Sequence, residues 1–313
     1  MPAESRRRFI IDTDTASDDA VAIIMAIQHP QVSVEALSIV SGNVPLPQAS
    51  INARYTLTIC DADIPVYEGC VGPMQRTAAH AEWFHGPDGM GDMNYPSPKF
   101  DARDEHAVDA LIRHFSNSPQ EIDLITLGPL TNIARVLERE PQFAEWVRHC
   151  YVMGGAACTV GNVTPAAEYN IWCDPEAARL VFHSGMPITM IGWELSRGNA
   201  TLSDQEIQSI RAINTDRAHF AMDCNEHALR AVREIQGEAG LALADPVAMA
   251  VALDERVCTH RSDHFVDISC DTDLTRGMTV VDQLNVTRKP PNATVCWSLD
   301  SSYWKNMLFS ALS

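Results

Sequence analysis

The sequence predicts an α/β fold: a Rossmann-like, open and mainly parallel sheet with helices on both faces and extra helices in the C-terminal third. Three observations carry this prediction. Short apolar runs alternate with helix-like runs through the first two-thirds of the chain, the pattern of βαβ units. Four acids gather at the carboxyl end of the first apolar run, the edge at which open α/β sheets bind ligands. Beyond Gly192 the pattern turns helical. With 46% apolar residues in 313 and ordinary use of Gly and Pro, the chain can bury a large core, and one domain over residues 1–313 is expected.

Element by element, Arg8–Ile11 reads as a short strand ending in acids, and Asp18–His29 as a helix through the spacing of Ala20, Ile23, Ile24 and Ile27. Val34–Val40 is the second strand, Ser41-Gly42-Asn43 a turn and Pro47–Cys60 a helix. Glu68–Phe100 has no clear period, and a loop that long inside a compact domain is usually functional. Helix Glu105–Asn117, strand Ile122–Leu127, helix Leu130–Arg139 and strand Cys150–Met153 resume the alternation. An irregular segment, Gly154–Cys173, precedes helix Pro175–Ser184 and strand Ile188–Ile191. A capping box at Ser203-Asp204-Gln205-Glu206 opens the helical third, with further helices at Arg217–Ile235 and Pro246–Leu253. Strands around Phe265–Ser269, Met278–Val281 and Val295–Leu299 lead into a short final helix.

Charge narrows the function. With 23 basic against 41 acidic side chains, the net charge of −18 disfavours nucleic acid as a partner. No apolar run approaches the ~18 residues of a membrane span. Met1–Arg8 carries three arginines but leads into Phe9-Ile10-Ile11-Asp12, which is too short for a signal-peptide core. The nine cysteines are scattered without a CxxC pair, so a cytoplasmic protein with reduced thiols is expected.

The chemistry is written in Asp12-Thr13-Asp14-Thr15-Ala16-Ser17-Asp18-Asp19. Four enclosed acids repel one another and lose solvation unless a cation compensates. Two of them, Asp18 and Asp19, also suit the first turn of a helix, but that explains two acids and not four. A hard divalent ion with oxygen ligands is the simplest answer. On this segment alone, a metal-dependent phosphatase with Asp12 as nucleophile is the natural rival. Such an enzyme needs a pocket lysine, and Lys99, Lys289 and Lys305 are the chain's lysines, none in a plausible βα loop.

At this point the chain resembles the calcium-dependent nucleoside hydrolases. Its opening is similar to their D-x-D-P-G-x-D-D signature. Four further blocks follow in the family's order: Ser41-Gly42-Asn43, Leu127-Gly128-Pro129-Leu130-Thr131-Asn132, Ala167 to Ala178, and Ala244-Asp245-Pro246. The resemblance implies hydrolysis of the N-glycosidic bond of ribonucleosides, purine or pyrimidine, to ribose and free base in nucleoside salvage. It implies Ca²⁺ held by Asp14, Asp19, the Leu127 main-chain carbonyl and Asp245, with Asp14 also deprotonating a calcium-bound water. Asp18, Asn43, Asn162, Glu168 and Asn170 would bind the ribose, and a homodimer or homotetramer is expected. These residue types suit an oxocarbenium-like transition state, which needs negative charge near the sugar and a positioned water.

Two departures stand out. Ala244 replaces a histidine proposed in the family as proton donor to the base, which leaves open a weakly active or non-catalytic nucleoside-binding protein. His85, in Phe84-His85-Gly86-Pro87-Asp88-Gly89, is the candidate replacement. Thr15-Ala16 replaces Pro-Gly, and an alanine there is strained if the position needs positive φ. Trp83 and Trp193 are candidates to stack on the base, and His227, Arg230 and Arg233 lie where the family places base contacts. Asp174 and Pro175 read as a helix cap, while Asp88 and Asp92 read as solvated loop acids.

Overall fold

The computed structural model describes residues 6–313, so the reading of Met1–Ser5 lies outside the described residues. In chain order the elements are β1 (Arg7–Thr13), α1 (Ser17–Gln28), β2 (Val32–Ile39), α2 (Leu46–Ile59), β3 (Val66–Glu68), α3 (Glu82–His85), α4 (Ala107–Asn117), β4 (Ile122–Thr126), α5 (Thr131–Arg139) and α6 (Phe143–Trp146). There follow β5 (His149–Met153), α7 (Tyr169–Cys173), α8 (Pro175–Phe182), β6 (Ile188–Ile191), α9 (Asp204–Arg211), α10 (Asp216–Asp223), α11 (Glu226–Ala231) and α12 (Ala244–Leu253). The chain closes with β7 (Cys258–His264), β8 (Val266–Ile268), β9 (Thr279–Val281), β10 (Ala293–Leu299) and α13 (Ser301–Leu312).

The central sheet runs β3-β2-β1-β4-β5-β6-β10-β7. Every neighbouring pair is parallel except β10 with the edge strand β7. Alternation along β1 assigns the two faces: Phe9 and Ile11 pack with α1, α2 and α12, whereas Ile10 packs with α4, α5 and α8. The expected doubly covered sheet is therefore present. Strand order reverses between β1 and β4, which pair from Arg8↔Ile122 to Asp12↔Thr126, so the loops that follow these two strands open a crevice at the switch point.

Several expectations need adjustment. The helix read over Arg217–Ile235 is broken: α10 ends at Asp223, α11 starts at Glu226, and Val232–Gln236 winds as a π-turn. Asn225 sits at the break with its Nδ2 donating to the Ser17 and Ala221 carbonyls, which ties this helical third to the start of α1. The irregular segment Gly154–Cys173 contains α7, and β7 had no apolar signal because its sequence, CTHRSDH, is polar and half-exposed at the sheet edge. The strands read around residues 265–269 and 278–281 pair with each other as β8–β9, outside the main sheet. Among the described residues no helix is long and apolar enough to cross a membrane, and all nine cysteines are unpaired.

Candidate active site

At the switch point the chain leaves β1 and places Asp14 between two glycines. A Cβ at Gly42 would lie 2.1 Å from Asp14 Oδ2, and one at Gly128 2.6 Å from Oδ1, so only glycine lets both loops approach the carboxylate. Asp14 Oδ2 accepts from the Asn43 amide at 2.5 Å, while the buried Oδ1 has no partner among the described residues. Asp19 lies one helical turn away. Its Oδ1 accepts from Thr13 Oγ1 at 2.5 Å and its Oδ2 from the Ala16 amide at 2.9 Å. Oxygens of Asp18, Asp19 and Asp245 lie within 4.8 Å of one another, although Asp245 arrives from the first turn of α12, far along the chain.

Burial raises the carboxyls of Asp14, Asp19 and Asp245, and the charges they feel from one another and from Asp18 raise them further. Among the largest influences on them there is no basic side chain. An unpartnered buried oxygen, a glycine cradle around it and converging acids without a counter-charge together fit a divalent cation. The carbonyl of Leu127, a residue that follows β4 and lines the cleft with Asp18 and Asp245, offers a further oxygen. It accepts from Asn170 Nδ2 at 2.7 Å and keeps a second lone pair.

Above the acids lies a cleft whose wall includes Asp18, Asn43, His85, Leu127, Asn162, Glu168, Asn170 and Asp245. The fold thus gathers these expected site residues from across the chain around one cavity, while Asp14 and Asp19 are fully buried beside it. Glu168 has a second task that the sequence reading did not foresee. It caps the short helix α7, accepting from Asn170 N at 2.8 Å and Ile171 N at 3.2 Å, and it also accepts from Gly155 N at 2.8 Å. Burial still pushes its carboxyl up to about 7. Asn162 Oδ1 accepts from Tyr169 N at 2.9 Å, which ties the 154–168 loop to α7.

His85 ends α3 and is buried at 6% exposure. Its Nδ1 lies 2.8 Å from Ser17 Oγ and 4.0 Å from Asp18 Oδ1, and burial lowers its proton affinity against the pull of Asp18. The loop after it is shaped from within: Asp88 Oδ1 accepts from the Met90 and Asp92 amides, and Gly89 turns at φ 71°. Asp88 and Asp92 therefore organise the loop and stay out of the metal cluster. Ala16 has φ −113°, so the replacement of glycine in the metal loop brings no backbone strain.

Trp83 and Trp193 both line the cleft, the first 46% exposed and the second buried. His227 lies behind the cleft wall with Nδ1 3.3 Å from the Phe84 carbonyl, and Arg233 pairs with Asp204 away from it. Ala244 lines the wall. The sequence reading missed Arg197, which lines the cleft, stacks 4.6 Å over the Trp193 ring and pairs with Glu238. Its only sequence signal was proximity to Trp193. Asp12 is fully buried and off the cleft, held by Ser38 Oγ at 2.5 Å and Asn132 Nδ2 at 2.8 Å, which removes it as a nucleophile.

With this geometry in place, residues 9–306 match the family model of the inosine-uridine preferring nucleoside hydrolases. The chain belongs to this family. It is 36% identical over 309 residues to a pyrimidine-specific ribonucleoside hydrolase of Shewanella sp. strain ANA-3, covering 98% of this chain and 96% of that one. A relative of the same description from Photobacterium profundum is 34% identical over 309 residues, with 98% and 99% covered. Among solved structures, a plant nucleoside hydrolase superposes with TM-score 0.91 at 30% identity, covering 98% of each chain. A purine-preferring ribonucleoside hydrolase from Gardnerella vaginalis gives 0.91 at 28%, covering 97% of this chain and 98% of that one. This nucleoside hydrolase therefore cleaves the N-glycosidic bond of ribonucleosides, and neither the phosphatase nor the non-catalytic reading stands.

Proposed function

We propose that the enzyme hydrolyses ribonucleosides with one Ca²⁺ held by Asp14, Asp19, Asp245 and the Leu127 carbonyl. The observation that carries this reading is the unpartnered, buried Oδ1 of Asp14 in its glycine cradle. Calcium bound there supplies the positive charge that offsets the acids and acidifies water. Asp14 takes a proton from the attacking water at Oδ1. Asp18, Asn43, Asn162, Glu168 and Asn170 hold the ribose hydroxyls, and a deoxyribose would leave some of these buried polar groups unpaired. Negative charge from the same acids favours the oxocarbenium-like sugar as the bond to the base breaks.

On the base side, His85 assists departure in place of the residue absent at Ala244, and Trp83 and Trp193 offer faces to a planar heterocycle. The curated relatives at 34% and 36% identity are named as pyrimidine-specific, which makes uridine and cytidine the first substrates to try. We place the enzyme in cytoplasmic nucleoside salvage as a homo-oligomer, an assembly state that light scattering measures directly.

The test is release of free ribose from a panel of pyrimidine and purine ribonucleosides in calcium, with and without EDTA. EDTA-sensitive release is expected, with the pyrimidines fastest. Release untouched by EDTA and unchanged in Asp14→Ala would refute the metal assignment.

A further inference from the structure

We propose that Ser17 is a positioning residue that fixes His85 as the tautomer protonated on Nε2, so that the ring offers that N–H to the departing base; this rests on the reading of His85 above. Ser17 opens α1 and is fully buried. Its carbonyl is already taken, by Asn225 Nδ2 at 3.1 Å and Cys224 Sγ at 3.5 Å. Its hydroxyl has one partner among the described residues, His85 Nδ1 at 2.8 Å.

The accounting then decides the direction of that bond. A serine hydroxyl carries one proton, and a neutral imidazole has one donor and one acceptor nitrogen. Were Nδ1 protonated, it would donate to Ser17 Oγ, and the buried hydroxyl proton would be left without an acceptor. With Ser17 donating, Nδ1 accepts, every buried group is satisfied, and the ring proton resides on Nε2. Asp18 Oδ1, at 4.0 Å from Nδ1, is too far to hold a proton on that nitrogen. Nε2 itself has no protein partner among the described residues, and His85 lines the cleft. Around the ring, Phe84 packs edge-on at 4.9 Å, and His227 of α11 has Nδ1 3.3 Å from the Phe84 carbonyl, so α3 is also held by α11.

The chemical consequence is an electrophile on the base side. As the glycosidic bond breaks, its electron pair goes to the base, and negative charge grows there. A neutral imidazole N–H stabilises that charge by hydrogen bonding, as a donor aimed at where charge develops. The Nε2–H bond is not broken in this step. The base takes its proton from water on release. The serine sits at the second unassigned position of the D-x-D-P-G-x-D-D block, directly before Asp18 and Asp19, so the segment that carries these acids also holds the His85 ring.

Two measurements on the calcium-loaded full chain test this. Histidine ¹⁵N NMR, with the His85 signals assigned by their loss in His85→Gln, is expected to show Nε2 protonated and Nδ1 as a hydrogen-bonded acceptor. In Ser17→Ala the Nδ1 signal should lose its hydrogen-bond displacement. A protonated Nδ1 in the wild type overturns the proposal whatever the activity. In kinetics, Ser17→Ala should lower kcat on uridine by about tenfold or more while kcat on p-nitrophenyl riboside, whose leaving group needs little help, stays within about threefold. Equal losses on the two substrates would show that Ser17 serves only the fold. His85→Ala separates the two readings. If that variant is not selective against uridine, the assignment of His85 fails; if it is selective and Ser17→Ala is not, the positioning role alone fails.

Discussion

Replacing Gly42 by alanine should disable the enzyme without unfolding it. The added Cβ would lie 2.1 Å from Asp14 Oδ2, 2.7 Å from Asp14 Cγ and 2.7 Å from Pro129 Cδ, against about 3.4 Å for ordinary contact. The gap to be opened is 3.4 − 2.1 = 1.3 Å. Neither neighbour yields cheaply, because Pro129 is a ring and Asp14 is backed by Gly128 and held by the Asn43 amide. The carboxylate must therefore shift by more than 1 Å, a displacement that can cost on the order of 10²-fold when it falls on catalytic geometry. Overpacking alone costs about 1–3 kcal/mol, which a fold of this size survives. The backbone at Gly42 has ordinary angles, so the effect is one of space alone. The assay is kcat/KM on p-nitrophenyl riboside, with calcium affinity by calorimetry and thermal melting as the control for folding. Gly72→Ala, where the nearest atom to a Cβ is 3.6 Å away, should be silent. A Gly42→Ala enzyme with kcat/KM within threefold of wild type and unaltered calcium affinity would mean that Asp14 does not need its observed position.

Removing calcium with EDTA should lower Tm by about 4 °C when the metal had been present at roughly 100 times its Kd, and readdition should restore it. No change in melting would speak against a site in the folded core. Asp123 is fully buried between Arg7 and Arg148, and Asp123→Ala should destabilise by about 2 kcal/mol in denaturant titrations while leaving KM unchanged, because it lies at the opposite end of β4 from the cleft. Glu194 has Oε2 buried without a partner among the described residues, and burial pushes its carboxyl from 4.5 up to about 7. The folded state thus holds this proton more tightly than the unfolded chain, a contribution that is complete below pH 4.5 and lost as pH rises to about 7. Melting curves across that window should fall less steeply for Glu194→Gln than for wild type, and parallel curves would refute the shift.

The fold was legible because both of its periods survive in the sequence. β1 reads as an apolar run and α1 as a 3.6-residue stripe, and the acids between them mark the sheet edge at which the cleft opens. What escaped notice had no local signal. β7 is a polar strand at a sheet edge, where pairing with β10 and not apolar alternation defines the element. The long helix read over residues 217–235 breaks at Asn225, whose side-chain amide donates to the Ser17 carbonyl at the start of α1, a long-range bond that no propensity reports. The site divides the same way. Asp14, Asp19 and Asp245 were readable as acids in recognisable blocks, but Arg197 beside Trp193 and the pairing of Ser17 with His85 exist only once distant loops converge. Glu168 shows how one residue can satisfy both readings, since a carboxylate that caps α7 is thereby fixed at the cleft wall.

The four acids of the first loop are not equivalent, and their geometry predicts how to tell them apart. Asp12 shares a strand face with Ile10 and points toward α5, where it joins β2 through Ser38 and α5 through Asn132. Asn132 in turn accepts from the Cys70 amide at 2.8 Å, so Asp12 anchors the loop after β3 as well. Both the Ser38 and the Asn132 bonds use Asp12 Oδ1; Oδ2 is buried without a partner among the described residues, and burial raises the carboxyl to about 7. An asparagine can keep its oxygen on Ser38 and Asn132 and lay its amide where Oδ2 lies, at a cost of about 1–3 kcal/mol for the unpaired donor. Asp12→Asn should therefore melt earlier yet retain calcium binding and kcat to within about tenfold, because the residue acts by holding the loop. Asp14→Asn, equally isosteric, removes the negative charge and the proton acceptor from the cleft floor and should lose activity by about 10³-fold or more together with calcium affinity. If Asp12→Asn proves as inactive as Asp14→Asn while still folded and calcium-bound, Asp12 touches the reacting atoms and the division of labour drawn from the strand geometry is wrong.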